Sequence, residues 1–443
     1  MAEAVYLIDG ARTPFLRAAG RPNPFHAADL LLGAARPLLL RQPFAPDAFD
    51  EVIAGCVMPR PDEANIARIL ALRLGCGERV PAFTVQRNCA SGMQALDTAA
   101  RNIAHGHADL VLAAGVEAMS HAPLLLREEM VAWLADWRAT RRIGARLKLL
   151  GRLRARHLAP VIALLEGLSD PVVGLSMGQT AENLAWRFDI SREAMDAYAL
   201  RSHQRLAAAI DDGRLDEIVP LYGLSGTLYA RDDGLRRDTS MEKLARLAPV
   251  FDRPYGLVTA GNSAQITDGA ACLILASERA VEAHDLPVLA RIHPASWAGL
   301  DPAQMGLGPT HAIAALLQHH DLALQQIDWF EINEAFAAQV LACVKTLADN
   351  DYCRDQLGLE GAIGEIPMER LNVDGGGISL GHPVGASGAR IVLHLAKVLQ
   401  REGGHKGIAS LCIGGGQGGA MLVERVGVTT SETGAGRWAT MNT

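Results

Sequence analysis

At 443 residues the chain exceeds what one hydrophobic core usually supports, so two or three packed units are expected. Its composition, 49% hydrophobic and 21% charged, excludes a chain that is disordered throughout. A formal net charge of −7 excludes general nucleic-acid binding, and an anionic ligand must be received by local basic groups against the overall sign.

Residues 4–10 read directly as a buried strand and turn. No basic segment followed by an apolar one precedes them, so no signal or transit peptide is expected, and the cytoplasm is the expected location. No window reaches the roughly 18 uncharged apolar residues that a membrane-spanning helix needs. From there on, short apolar runs alternate with helix-period segments, which points to α/β architecture. Strands are expected over 5–9, 51–56, 83–86, 110–114, 271–275, 329–332 and 408–413, with helices over 30–40, 93–104 and 389–399 among them.

Two stretches look like copies of one unit. The first runs from Cys89-Ala90-Ser91-Gly92 through a helix into the strand at 110–115. The second runs from Gly385-Ala386-Ser387-Gly388 through a helix into the strand at 408–412. A turn, helix and strand at similar spacing in both halves suggests a duplicated domain. Between the halves, 121–258 differs in composition. Its segment 127–156 carries nine basic residues against three acidic ones, with leucine, isoleucine and tryptophan interleaved at helical spacing. That is a basic face for a phosphate-rich ligand, a membrane surface or a partner subunit, or else an amphipathic hairpin packed on the main body with solvated arginines. Residues 428–443 are polar and read as a frayed tail.

The seven cysteines include no pair at CxxC spacing. A disulfide framework and a tetrahedral zinc site are therefore not expected, no metal is expected, and free thiols in a reducing compartment are. Cys89 follows a strand and opens a helix, where the helix dipole favours a thiolate, and Gly92 would let a ligand approach the backbone. Taken alone, Cys89 and Cys412 read more readily as small buried hydrophobes than as reactive groups. His382, flanked by glycines and followed by Pro383 as a first helical residue, suits a base or oxyanion donor, or simply a cap. Cys412 precedes Ile413-Gly414-Gly415-Gly416, a loop whose amides could bind an oxyanion. It lacks the lysine of a phosphate-binding loop. Asn333 follows the strand at 329–332, where its amide could orient a water or merely make a turn.

Taken in order, these pieces resemble the thiolases over residues 4–425. The resemblance is carried by Asp9-Gly10-Ala11-Arg12-Thr13-Pro14-Phe15, Asn88-Cys89-Ala90-Ser91-Gly92 and Ala114-Gly115-Val116-Glu117-Ala118-Met119-Ser120. It continues through Met177-Gly178-Gln179-Thr180-Ala181-Glu182-Asn183, Thr259-Ala260-Gly261-Asn262-Ser263 and Asn333-Glu334-Ala335-Phe336-Ala337. It ends with Gly381-His382-Pro383-Val384-Gly385-Ala386-Ser387-Gly388 and Cys412-Ile413-Gly414-Gly415-Gly416. It implies a duplicated domain with a five-layered α-β-α-β-α core and an inserted loop domain. The N-terminal domain would take 1–120 and 259–284, the loop domain 121–258 and the C-terminal domain 285–427.

The resemblance also implies a mechanism. Cys89 would be acylated, with His382 taking its proton, and Cys412 would carry the proton of the α-carbon. Asn333 would hold a water that forms one oxyanion hole with His382, and the amides of Cys89 and Gly414 would form the other. Coenzyme A would be a substrate rather than a bound cofactor, contacted near Met177, Arg236, Ala260, Ser263 and Ala264. A homodimer or homotetramer is implied. The basic insert and Arg201-Ser202-His203-Gln204 most resemble thiolase subunits of fatty-acid β-oxidation complexes, which implies a partner subunit; membrane contact through 127–156 is the other expectation. Those subunits commonly carry His-Glu-Ala-Phe where this chain has Asn333, so a 3-ketoacyl-CoA thiolase and an acetoacetyl-CoA thiolase both stay open.

The chain departs from the family pattern at Ser176, where many thiolases have histidine, at Ala264, where a hydroxyl is common, and at Asp374, where asparagine is usual. A ketosynthase-like condensing enzyme is the alternative activity, but it needs no second reactive cysteine. A catalytically inactive scaffold or lipid-binding subunit is the other alternative, and it need not keep Cys89, Asn333, His382 and Cys412 together.

Overall fold

Strands that are apolar on both sides must be covered on both sides, and here they are. The computed structural model describes residues 3–426, so the tail expected over 428–443 lies outside the described residues. Nine strands form the spine of the main sheet: β1 (Val5–Arg12), β2 (Glu51–Gly55), β3 (Ala82–Val85), β4 (Leu110–Ala118), β5 (Thr267–Ser277), β6 (Ala290–Ile292), β7 (Trp329–Ile332), β8 (Lys406–Ile413) and β9 (Gln417–Glu424). Their spatial order is β7-β8-β9-β6-β1-β5-β4-β2-β3. The two halves meet where β1 pairs antiparallel with β6, at Tyr6↔Arg291 and Leu7↔Ala290. The helices that bear on the site are α1 (Ala27–Leu40), α2 (Ser91–Ala104), α3 (Glu128–Ala139), α4 (Ile143–Leu150), α5 (Met177–Arg187), α6 (Arg192–Asp211), α7 (Gly308–His319), α8 (Ala337–Leu347) and α9 (Val384–Glu402).

Side-chain alternation sorts the core into layers. Leu7, Ile53 and Leu273 of one half and Leu411 and Met421 of the other face inward onto α2 and α9. Ile8, Val52 and Ile274 face outward under α1. Ile332, Ile408 and Leu422 face outward under α7 and α8. Helix, sheet, helix, sheet and helix follow one another, as the resemblance implies.

The duplication is visible where α2 and α9 cross. A Cβ at Gly92 would lie 2.8 Å from Ala389 N, and one at Gly388 would lie 2.6 Å from Met93 N. The same glycine in each copy thus admits the backbone that follows its counterpart. This corrects the expectation that Gly92 makes room for a ligand: it makes room for α9. Pro383 also proves to be the residue before the first turn of α9 rather than part of it.

Helix α9 is tied to the middle region by buried charge. Arg12 meets Asp232 at 2.7 and 2.9 Å and Glu217 at 3.3 Å. His394 then bridges Glu217 (3.1 Å) and Asp374 (3.2 Å), and Asp374 also pairs with Arg401 (2.7 Å) and with Arg214. Burial alone would lower His394, but Glu217 and Asp374 hold it up at about 10. The aspartate at 374 therefore answers three cations, which an asparagine could not do.

The basic insert does not pack on the body as one reading expected. Helix α3 buries no residue and α4 buries only Leu149. The two close on each other through Trp133, which stacks on Trp137 of its own helix at 5.4 Å and whose Nε1 donates to Leu149 O of α4 at 2.9 Å. Leu124, Val131, Ile143 and Leu147 remain exposed.

Candidate active site

The turn before α2 presents Cys89. Asn88 adopts φ +42°, a left-handed value that asparagine tolerates. Ser91 Oγ donates to Asn88 O at 2.7 Å and accepts from Arg87 N at 2.9 Å, which closes the turn. Asn88 Nδ2 donates to Gly414 O at 2.8 Å and so fastens Cys89 to the turn joining β8 and β9. That turn requires glycine at 416, where φ is +74° and a Cβ would stand 2.2 Å from Leu300 O.

His382 sits just ahead of α9. Ser387 Oγ lies 2.6 Å from its Nδ1 and also donates to Pro383 O at 3.1 Å. The hydroxyl hydrogen being engaged, Ser387 accepts from Nδ1–H, which leaves Nε2 as the basic nitrogen. Asn333 Nδ2 lies 3.4 Å from both ring nitrogens, and its buried Oδ1 has no partner among the described residues. The next residue, Glu334, is a buried hub rather than a surface turn. It accepts from Tyr198 OH (3.0 Å), Ser202 Oγ (2.6 Å) and Asn372 Nδ2 (3.0 Å), which fixes the segment carrying Asn333.

Cys89, His382 and Cys412 line one cavity of about 620 Å³. Residues from both halves of the chain therefore converge. Burial pushes the Cys89 thiol up, against the pull of the Gly414 amide and its own. Burial also pushes His382 down, to about 4, with Arg390 acting in the same direction. At neutral pH the resting pair is thiol and neutral imidazole. This differs from the dipole-favoured thiolate expected from position alone: desolvation outweighs the helix end. Cys412 is raised well above the usual thiol range, by burial first and then by Cys89 and Cys343.

Met177, Arg236, Ala260, Ser263 and Ala264 all line the same cavity. Ser263 Oγ donates to Thr259 O at 2.7 Å, and Ala264 N donates to Ala335 O at 2.9 Å. Ser176 caps α5 by accepting from Gln179 N at 3.3 Å, so this departure from the family pattern leaves a helix cap at the cavity wall. Sequence reasoning missed Arg17 and Phe251, which also line the cavity, and gave Ser387 no role. Arg17 lies just past the quoted Asp9–Phe15 motif; nothing local marks Phe251.

Residues 5–279 match the family described as thiolase, N-terminal domain, and residues 286–425 match thiolase, C-terminal domain. The chain is 37% identical over 421 residues to the mitochondrial trifunctional enzyme subunit beta of Bos taurus, covering 95% of this chain and 88% of that one. Among solved structures, the acetyl-CoA acetyltransferase of Bacillus anthracis superposes with a TM-score of 0.83 at 39% identity, covering 96% of this chain and 99% of that one. Human mitochondrial 3-ketoacyl-CoA thiolase in complex with CoA gives 0.82 at 37% identity, covering 96% and 98%. With both halves matched and the cavity at their junction, the chain belongs to the thiolase family.

Proposed function

We propose that this protein is an acyltransferase that moves acyl groups between coenzyme A thioesters, cleaving 3-ketoacyl-CoA with CoA or running the reverse Claisen condensation. The observation that carries this reading is the convergence of Cys89, His382 and Cys412 on one cavity. A second cysteine there is what a ketosynthase does not require.

His382 Nε2 takes the Cys89 proton as Sγ attacks the 3-keto carbon. The bond between C2 and C3 then breaks, leaving the acyl group on Cys89 and an acetyl-CoA enolate. Cys412, held protonated by burial, gives its proton to that carbon. The oxyanion on the acyl carbon is met by the amides of Cys89 and Gly414. The enolate oxygen is met by His382 and a water on Asn333. An enolate needs such donors because its parent α-proton is only weakly acidic. As acetyl-CoA leaves, the proton on His382 passes to Cys412; His382 then takes the proton of the incoming CoA thiol, which attacks the acyl-Cys89 carbon, and gives it to the leaving Cys89 sulfur. Arg236 and Arg17, at the cavity, offer cations to the phosphates of CoA.

Acetoacetyl-CoA and CoA should be converted to acetyl-CoA by the purified protein, followed by loss of the enolate absorbance. A folded protein inert on every 3-ketoacyl-CoA of a chain-length series would sink the reading, and the series itself assigns the preferred acyl group.

The partners follow from two surfaces. Strand β3 lies at a sheet edge and is half-buried along its length, which suits pairing with a second copy. A monomer by light scattering at micromolar concentration would contradict this. The exposed, basic α3–α4 hairpin suits an anionic lipid surface. Binding to phosphatidylglycerol vesicles should be strong at low salt and lost when Arg141, Arg142 and Arg146 are changed to Glu. Equal binding by that variant would point instead to a protein partner such as another β-oxidation subunit. All seven cysteines are free, which suits the cytoplasm, and recovery from an oxidising compartment on cell fractionation would contradict that location.

A further inference from the structure

One buried carboxylate beside the site takes no part in the steps above. Glu117 stands near the end of β4, where the strand meets the crossing of α2 and α9. Its Oε2 accepts from the amides of Val57 (3.0 Å) and Gly385 (3.1 Å), and its Oε1 accepts from that of Met58 (3.0 Å). The Cys56 thiol lies 3.7 Å from Oε1. Val57 and Met58 follow β2, in the half that carries Cys89. Gly385 is in the first turn of α9, just past His382.

The approach depends on glycine at two points. A Cβ at Gly385 would stand 2.2 Å from Val116 O and 2.8 Å from Glu117 Oε2. One at Gly115 would stand 2.4 Å from Gly385 O and 2.8 Å from Gly92 Cα. The strand end, the Cys89 helix and the His382 helix share one point of contact, and the Glu117 carboxylate lies at it.

We propose that Glu117 is a positioning residue of the thiolase reaction: as a carboxylate it fixes the first turn of α9, and with it His382, against the half that carries Cys89. Ionised, the carboxylate accepts at both oxygens with charge-assisted bonds; protonation removes that charge and weakens its hold on the three amides. Burial pushes this carboxyl up to about 7, while the amides of Met58, Val57 and Gly385 pull it down. As pH falls through about 7, the hold on Gly385 weakens and turnover falls with it.

Cys56, in contact, is held protonated by burial and by Glu117, with Glu63 acting on it from beyond. Asp268, on the neighbouring strand β5, is engaged by Ser120 and Asn23. Burial, and after it the Glu117 charge, raises Cys89, and burial lowers His382 to about 4, so neither titrates near 7.

This inference rests on the thiolase reading, and kcat for thiolysis of acetoacetyl-CoA measured against pH tests it. The wild type should show an acid limb near pH 7. Glu117→Gln should lower kcat about tenfold, keep KM for CoA within about twofold and lose the limb. Glu117→Asp should recover part of kcat and keep a limb with a moved midpoint. A Gln variant with kcat within about twofold of wild type and the same limb would overturn the proposal. If thermal melting shows the Gln variant unfolded, the Asp variant decides: a moved midpoint supports the role and an unmoved one overturns it. An inactive wild type sinks the thiolase reading, whereas an active wild type with unaffected variants sinks only the role of Glu117.

Discussion

Replacing Cys89 by alanine should lower thiolysis of acetoacetyl-CoA by about 10⁴-fold or more, which corresponds to about 5.5 kcal/mol of lost transition-state stabilisation. The size follows from the chemistry. Without Sγ no acyl-enzyme forms, and the two half-reactions lose the thioester that keeps the acyl group activated between them. Folding should be little affected, because Cys89 lines the cavity, so that removing its sulfur enlarges a space that is already there. Intact-mass measurement after incubation with acetyl-CoA gives the check: wild type gains an acetyl group and the variant does not. Turnover that persists in a variant of unchanged melting temperature would reject Cys89 as the nucleophile.

The corresponding change at Cys412 should divide the reaction rather than stop it. Cys412→Ala should still be acetylated at Cys89 by acetyl-CoA, because proton transfer for that step belongs to His382. Its exchange of acetyl hydrogens with D₂O, and condensation itself, should fall roughly 10²–10⁴-fold, the usual worth of a positioned acid or base. The environment suits that task, since burial and the neighbouring Cys89 keep this thiol protonated and able to donate. Hydrogen exchange at the wild-type rate would remove Cys412 from the mechanism. Loss of Cys89 acetylation in a folded Cys412→Ala would show that the two thiols are not separable.

Much of the fold was legible in the sequence because its signals are local. Each expected strand falls on an observed one, since short apolar runs alternating with helix-length segments suit a sheet covered by helices. Their ends moved where neighbours decided. The strand expected over 110–114 runs on to Ala118 because β5 pairs with it through Asp268↔Ala118. That extension is what brings Glu117 to the helix crossing, and no local pattern announces it.

For Cys89, proposed as the nucleophile, the sequence by itself determined its place before a helix and the ordered set of motifs that made a thiolase recognisable. Only the tertiary structure decided its state. Burial holds Cys89 as a thiol and His382 as a neutral base, because desolvation depends on which side chains from distant segments close over them. The same reason covers Gly92, whose missing Cβ serves a helix almost three hundred residues away in the chain, and Asp374, whose partners Arg214 and His394 come from separate segments. Residue type and spacing carry what chemistry a chain can do; contacts between segments far apart in sequence set the charge, the tautomer and the room in which it is done.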